Sequence, residues 1–302
     1  MMKKCILSPL IIQLQIMNKL VGIILLNLFI SSCEQFSGDE NLKIIYYPDS
    51  EVIKQSVEYK NKKKNGLFRA YYRNGNPKAV QHYKNDTLTD TSCFYHENGK
   101  LASYQIFDRG IKTGRWRKFN KDGREYWNAG FKHGSLDGLA EEYSYKSIKL
   151  MCRKNYENGR ESGKQEYFHT DGKPKSVVYF IDGYAAMGTR EWTPSGNEIN
   201  NDFKITVAEK NEVLLQGKLF FYISLQGLQA GDEVYEISPR DTGNKISTLR
   251  HLIKEGGHYV IEYYIPKGGF IMEEVHLAAY RKTGYGNIFI KKTKFMASAN
   301  NF

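Results

Sequence analysis

Tyr71-Tyr72-Arg73-Asn74-Gly75 decides the fold, because the string returns. Tyr95-His96-Glu97-Asn98-Gly99 follows one step later, and Phe168-His169-Thr170-Asp171-Gly172 stands further along. Asn74-Gly75, Asn98-Gly99, Asp122-Gly123, Asp171-Gly172 and Ser195-Gly196 lie on one ladder with a step of 24 residues, stretched once to 25 in the unit holding Lys146-Ser147. Four residues before each turn position sits an aromatic: Tyr71, Tyr95, Phe119, Tyr143, Phe168 and Trp192. A second aromatic follows the turn at Tyr83, Phe107, Phe131, Tyr156 and Phe180. A shared register of this kind is an internal repeat.

Asn-Gly and Asp-Gly supply two residues able to take positive φ, which predicts a two-residue type I′ hairpin turn at each rung. The flanking segments are rich in Tyr, Phe, Val and Thr, and read as strands. Gly110 to Gly114, Gly134 to Gly138, Gly159 to Gly163 and Gly183 to Gly188 mark the reverse connections. Successive hairpins therefore join into an antiparallel meander. Tyr47 and Tyr59 extend the ladder back one step, although Glu51 stands where the turn glycine belongs. The sequence thus predicts an all-β chain: an elongated sheet of β-hairpin repeats over residues 43–199, then a small β-sandwich over 200–302. A lone hairpin is marginal in water, so each unit draws its stability from its neighbours, and the recurrent aromatics are assigned to packing between hairpins.

The quoted strings, with Tyr156-Glu157-Asn158-Gly159 and Phe180-Ile181-Asp182-Gly183 as a second half-motif, resemble the bacterial variant of the MORN repeat. The resemblance covers about half the chain. It implies a twisted sheet of hairpins, no shared enzymatic residue, and in some members the antitoxin half of a toxin–antitoxin pair. Glu51, Asp90 and Ser147 depart from the pattern where glycine is expected, so those units are expected to bulge or loosen.

The front end carries an address. Leu20 to Ile30 is an apolar run of 11 residues, too short to span a bilayer comfortably and the right size for a signal-peptide core. Ile30-Ser31-Ser32-Cys33 resembles a bacterial lipobox, which assigns residues 1–32 to a leader, Cys33 to lipid attachment and residues 33–42 to the lipidated cysteine and its tether. Met17-Asn18-Lys19 makes a compact basic start, so translation is expected to begin at Met17 rather than Met1. The other readings of residues 20–33 are an uncleaved membrane anchor, or a buried strand with an incidental cysteine. Acyl chains hold a domain at a membrane by about 0.8 kcal/mol per buried methylene. The expected location is the cell envelope, on the outer membrane.

Removing residues 1–32 takes away Lys3, Lys4 and Lys19 and no acid, which lowers the formal charge from +11 to +8. A moderately basic surface suits anionic neighbours such as lipid headgroups or an acidic protein, and a lipid anchor argues against nucleic acid. Lys60, Lys62, Lys63 and Lys64 read as a solvated loop. Cys93 and Cys152 fall about 20 Å apart on the repeat geometry, beyond the roughly 7 Å reach of a disulfide, and read as small buried residues.

Nothing in the sequence assembles a reaction. His96 and His169 share a register three units apart, about 30 Å, which excludes a common metal. His251, His258 and His276 fit no ligand spacing, and the glycines sit where turns require them. No enzyme activity, metal or cofactor is expected. Partner-binding residues are sought among the aromatics that do not recur: Trp116, Tyr126 and Trp127. The leading expectation is a non-catalytic, lipid-anchored scaffold that presents its repeats to a protein or glycan. An antitoxin-like neutraliser and an envelope enzyme with a site in the sandwich are the alternatives.

Overall fold

The structure, a computed structural model, describes residues 41–240 and 246–302; the leader, the Met17 start and Cys33 lie outside the described residues. At the rung Asn74-Gly75 the chain reverses through a three-residue loop. Tyr72 N–H donates to the Asn76 carbonyl and Gly75 N–H to the Tyr72 carbonyl. Gly75 takes φ +83° and Asn74 does not take positive φ, a type I turn closed by a glycine bulge. The same pair of bonds closes the rungs at Gly99, Gly123, Gly172 and Gly196.

The two-residue type I′ geometry expected there belongs instead to the opposite connections. Both central residues have positive φ at Asn61-Lys62, Asn85-Asp86, Arg109-Gly110, His133-Gly134, Asn158-Gly159 and Asp182-Gly183. The rung glycine is needed for a single left-handed position. The residue before it is Asn or Asp for another reason: Oδ1 of Asn74, Asn98 and Asp171 accepts the backbone N–H two residues on, at 3.0, 3.1 and 3.0 Å.

Where the rung glycine is missing, the loop lengthens and another residue takes the left-handed place. Tyr47 N–H reaches the Val52 carbonyl around Asp49, at φ +54°, and Ser144 N–H reaches the Lys149 carbonyl around Ile148, at φ +56°. Asp90 is different in kind. Val80 pairs with Cys93 and His82 with Thr89, so Gln81 alone faces Asp90, Thr91 and Ser92. The same bulge holds Gly114, Gly138 and Gly188 in other units. Bulging is therefore general to the repeat, and not a mark of the lost glycine. Asp90 sustains φ +59° while its carboxylate accepts the Thr91 N–H at 2.9 Å.

The strands are β1 (Leu42–Tyr46), β2 (Ile53–Lys60), β3 (Lys63–Tyr71), β4 (Pro77–Lys84), β5 (Thr87–Tyr95), β6 (Leu101–Asp108), β7 (Ile111–Phe119), β8 (Glu125–Lys132), β9 (Ser135–Tyr143), β10 (Leu150–Glu157), β11 (Arg160–Glu161), β12 (Gly163–Phe168), β13 (Pro174–Ile181), β14 (Tyr184–Trp192) and β15 (Glu198–Ile199). They form one 15-stranded antiparallel sheet in chain order, with β11 paired to β10 beside the path. The described residues divide into two compact units, one ending at residue 125 and one spanning 126–302.

In the first unit Ser56, Val57, Ala79, Ser92, Cys93 and Asn120 are among the buried residues. The recurrent aromatics Tyr71, Tyr95 and Phe119 are half-buried, and their backbone carbonyls tie one hairpin to the preceding one. Tyr47 OH donates to the Tyr71 carbonyl, Tyr72 OH to the Tyr95 carbonyl and His96 Nε2 to the Phe119 carbonyl, each at 2.8 Å. Asn74 and Asn98 extend their amides to the carbonyls of Glu97 and Lys121 in the next loop. In the second unit His169 Nε2 donates to the Trp192 carbonyl at 2.9 Å. Cys93 and Cys152 are both buried, and neither is in a disulfide.

The second unit also holds β16 (Ile205–Glu212), β17 (Lys218–Leu225), β18 (Glu233–Ile237), β19 (Thr248–His251), β20 (Lys254–Glu255), β21 (His258–Tyr264), β22 (Phe270–Lys282) and β23 (Ile288–Asn300). They build two four-stranded sheets, β16-β17-β21-β20 and β19-β18-β22-β23. Strand β17 alternates buried and half-buried residues, as a strand with one face on a core does. Leu219, Phe221, Ile223, Ile261, Val275 and Leu277 lie within that core. Val213–Gln216 is a one-turn helix, capped by Gly217 at φ +69°, and residues 247–255 hold β19 and β20. Arg281 makes a two-pronged pair with buried Asp232, at 2.9 and 2.6 Å, and stacks on Phe203.

Within this unit the last repeat hairpin meets the sandwich. Ala185 and Met187 of β14 pack against Ile237, Ala278 and Ile290. Thr189 Oγ1 donates to the Ile288 carbonyl at 2.6 Å, and Tyr285 OH to the Trp192 carbonyl at 3.1 Å.

Candidate functional site

Strand alternation sorts the aromatics singled out from the sequence. Tyr126 and Trp127 are neighbours on β8, so they point to opposite faces of the sheet. Trp127 stands across from Glu142 on β9. Trp116 belongs to β7 in the first unit, where Lys112 and Lys118 each hold an ammonium 4.6 Å from its ring centre. That arrangement sets two ammonium groups against one indole ring.

Tyr126 is the centre of a denser cluster. It occupies the place held by Ala102 one repeat earlier and by Met151 one repeat later, so it is not part of the recurring frame. Tyr145 lies edge-on to it, with ring centres 4.9 Å apart and an interplanar angle of 67°. Tyr145 belongs to the lengthened loop of the 25-residue unit, and it is 45% exposed. Sequence reading passed over it because the added residue looked like a flaw in the ladder. Burial, and then the neighbouring Tyr145, raise the Tyr126 phenol above its ordinary pKa.

On the same face Asn128 pairs with Glu141 across β8 and β9, and Glu141 with Arg153 across β9 and β10. Arg153 Nε donates to Glu141 Oε1 at 3.0 Å, Tyr143 OH donates to Oε2 at 3.0 Å, and Asn128 Nδ2 to Oε2 at 3.4 Å. Burial pushes the Glu141 carboxyl up, but the Arg153, Asn128 and Tyr143 hydrogen bonds overcome it and hold the group below its ordinary pKa. Glu141 is thus an anion at neutral pH beside two tyrosine rings, with Arg153 44% exposed at its side. Such a face offers ring edges, a guanidinium and amide groups to a ligand.

Among the described residues no three His, Cys, Asp or Glu side chains gather as a metal site. His251 packs against Tyr235, His258 Nδ1 lies 2.8 Å from Ser224 Oγ, and His276 Nε2 lies 2.6 Å from Glu274. On the opposite face from Tyr126, Lys154 reaches Glu161 at 3.3 Å and the Tyr167 ring at 5.6 Å.

The model of the MORN repeat variant family matches two stretches, residues 64–85 and 161–182. Each covers one hairpin, all but the first residue of β3–β4 and the whole of β12–β13. The two matches start 97 residues apart, at 64 and 161, which is four steps of 24 plus the one added residue. The chain therefore carries MORN-variant repeats. No curated protein matches it.

Proposed function

We propose that this protein is a non-catalytic scaffold of the bacterial cell envelope, anchored through a lipid on Cys33, which holds a protein or glycan partner on the sheet face around Tyr126 and Tyr145. One observation carries the reading: the only lengthened rung loop between Asn74 and Gly196 delivers a 45%-exposed tyrosine onto a non-recurring one, beside the Glu141–Arg153 pair. Aromatic rings whose bodies are apolar and whose tips are polar suit both protein and sugar contacts. The MORN-variant repeats are consistent with a binding scaffold, and fold alone names no partner.

The anchor reading is supported by the lipobox-like Ile30-Ser31-Ser32-Cys33 and the basic, apolar leader ahead of it. A photoreactive aromatic in place of Tyr145 in living cells tests the site. It is expected to capture a discrete species that the same probe at exposed Tyr184 does not capture. Equal capture at both positions would refute the site. Separately, Cys33→Ser should move the protein from the membrane to the soluble fraction; retention at the membrane would refute the anchor.

A further inference from the structure

Of the eight most exposed large apolar side chains among the described residues, six gather at one end of the sandwich. Leu214 and Leu215, the latter 86% exposed, belong to the one-turn helix between β16 and β17. Tyr264 closes β21 opposite Lys218, Phe270 and Met272 open β22, and Phe302 follows β23. Leu214, Leu215, Phe270, Met272 and Phe302 line one open cavity of about 840 Å³. Exposed apolar ground of this extent marks a contact surface.

The segments that carry these side chains are fixed to one another. Ile265 N–H donates to the Gly217 carbonyl at 2.6 Å, Asn301 N–H to the Gly269 carbonyl at 2.9 Å, and Asn301 Nδ2 to the Ile265 carbonyl at 2.7 Å. Gly217, Gly268 and Gly269 donate their N–H groups to the carbonyls of Val213, Asn301 and Pro266. Lys210 reaches Glu212 and Lys218 reaches Glu262, each at 2.7 Å, so these two carboxylates are neutralised. The apolar side chains thus project from chain reversals whose backbone donors are already bonded.

We infer that this end of the sandwich seats in the interfacial layer of a lipid bilayer, with Leu214, Leu215, Phe270 and Phe302 among the acyl chains and the Tyr264 ring at the level of the headgroups. Hydrocarbon offers no hydrogen bonds, so a loop can enter it only with its backbone groups paired internally, as they are here. A partner protein makes no such demand. Tyrosine, apolar in its body and polar at its tip, favours the boundary between the two phases. Lys267, in the turn between Tyr264 and Phe270, adds the positive charge that headgroup phosphates attract. The foothold is small and holds because a tether keeps the bilayer within reach, so the inference rests on the proposed anchor at Cys33.

The test uses the full chain, purified from membranes with its anchor and returned to vesicles of phosphatidylcholine and phosphatidylglycerol. Flotation of the vesicles reports the anchor, and a nitrobenzoxadiazole label on Leu215→Cys reports the tip; Cys93 and Cys152 are buried and spared. The label should shift to the blue in vesicles and lose most of its emission when the acyl chains carry nitroxide. The same label on Ile253→Cys, an exposed position whose carbonyl accepts the Val260 N–H near the start of β21, should do neither. Flotation with no quenching at Leu215, or with equal quenching at both positions, overturns the inference and leaves the anchor standing. A blue shift at Leu215 without nitroxide quenching also overturns it, as a protein contact would give. A parent chain that fails to float removes the anchor and the inference together.

Discussion

The hydroxyl of Thr283 donates to Glu191 Oε1 at 2.6 Å, across 92 residues of sequence. Glu191 is 1% exposed, and its other bonds come from Asn287 Nδ2, at 2.6 Å to the same oxygen, and Asn201 Nδ2, at 3.0 Å to Oε2. A repeat carboxylate is thereby held by three neutral donors from the loops of the sandwich. These three bonds tie the last hairpin to the terminal domain.

Glu191→Ala strands those donors in a buried place. It is expected to lower stability by about 2 kcal/mol, since leaving buried donors unpaired forfeits their solvation. Chemical denaturation measures it, and a midpoint equal to the parent's would remove Glu191 from the docking account.

The ladder of side chains onto backbone carbonyls makes His96 a structural residue. Tyr47 and Tyr72 perform the same task in the preceding units. His96→Ala should cost about 1 kcal/mol, the usual net worth of one hydrogen bond, and His96→Tyr should recover most of it. If the tyrosine variant is no more stable than the alanine variant, the equivalence of the rungs is wrong.

Ile148 is a β-branched residue at φ +56°, where its side chain crowds the backbone. Ile148→Gly should raise stability by about 1 kcal/mol, because relief of strain exceeds the entropy that glycine adds to the unfolded chain. The mirror experiment is Gly172→Ala. That glycine has φ +94° and nothing within 4 Å of an added Cβ, so its cost of about 1 kcal/mol is one of conformation alone. A lower melting point for Ile148→Gly would show that the isoleucine contributes more by packing than it costs in strain.

Burial, with the Glu142 carboxylate beside it, pushes the Cys152 thiol up to about 11. The folded chain thus keeps a neutral thiol where the unfolded chain, with a thiol near pH 8.5, ionises. The associated stability is complete below that pH and is lost as pH rises toward 11. Cys152→Ala should flatten the alkaline decline of the melting point. Iodoacetamide at pH 8.5 should label Cys152 after denaturation and spare it before, as mass spectrometry would reveal; rapid labelling of the native protein would contradict the buried, neutral state.

The aromatic and glycine spacing was enough to read the hairpin meander and its period, because a turn is specified within five residues and a strand pair by its turn. The same local signals misassigned the turn types: Asn-Gly is compatible with a two-residue turn and with a glycine bulge, and only the pairing register of β3 with β4 chooses between them. Strand alternation, legible in principle, already separates Tyr126 from Trp127 once β8 is recognised.

Period and turn chemistry alone determined that this chain is a run of hairpins followed by a differently built β domain, since those features depend on φ preferences and on near-neighbour contacts. Tertiary structure decided that Tyr145 lies on Tyr126, that Glu141 is held by Arg153, and that Glu191 is clamped by Thr283 and Asn287. Those relationships join residues from different strands and loops, up to 96 positions apart. They arise from packing and register, which no local pattern of residues encodes.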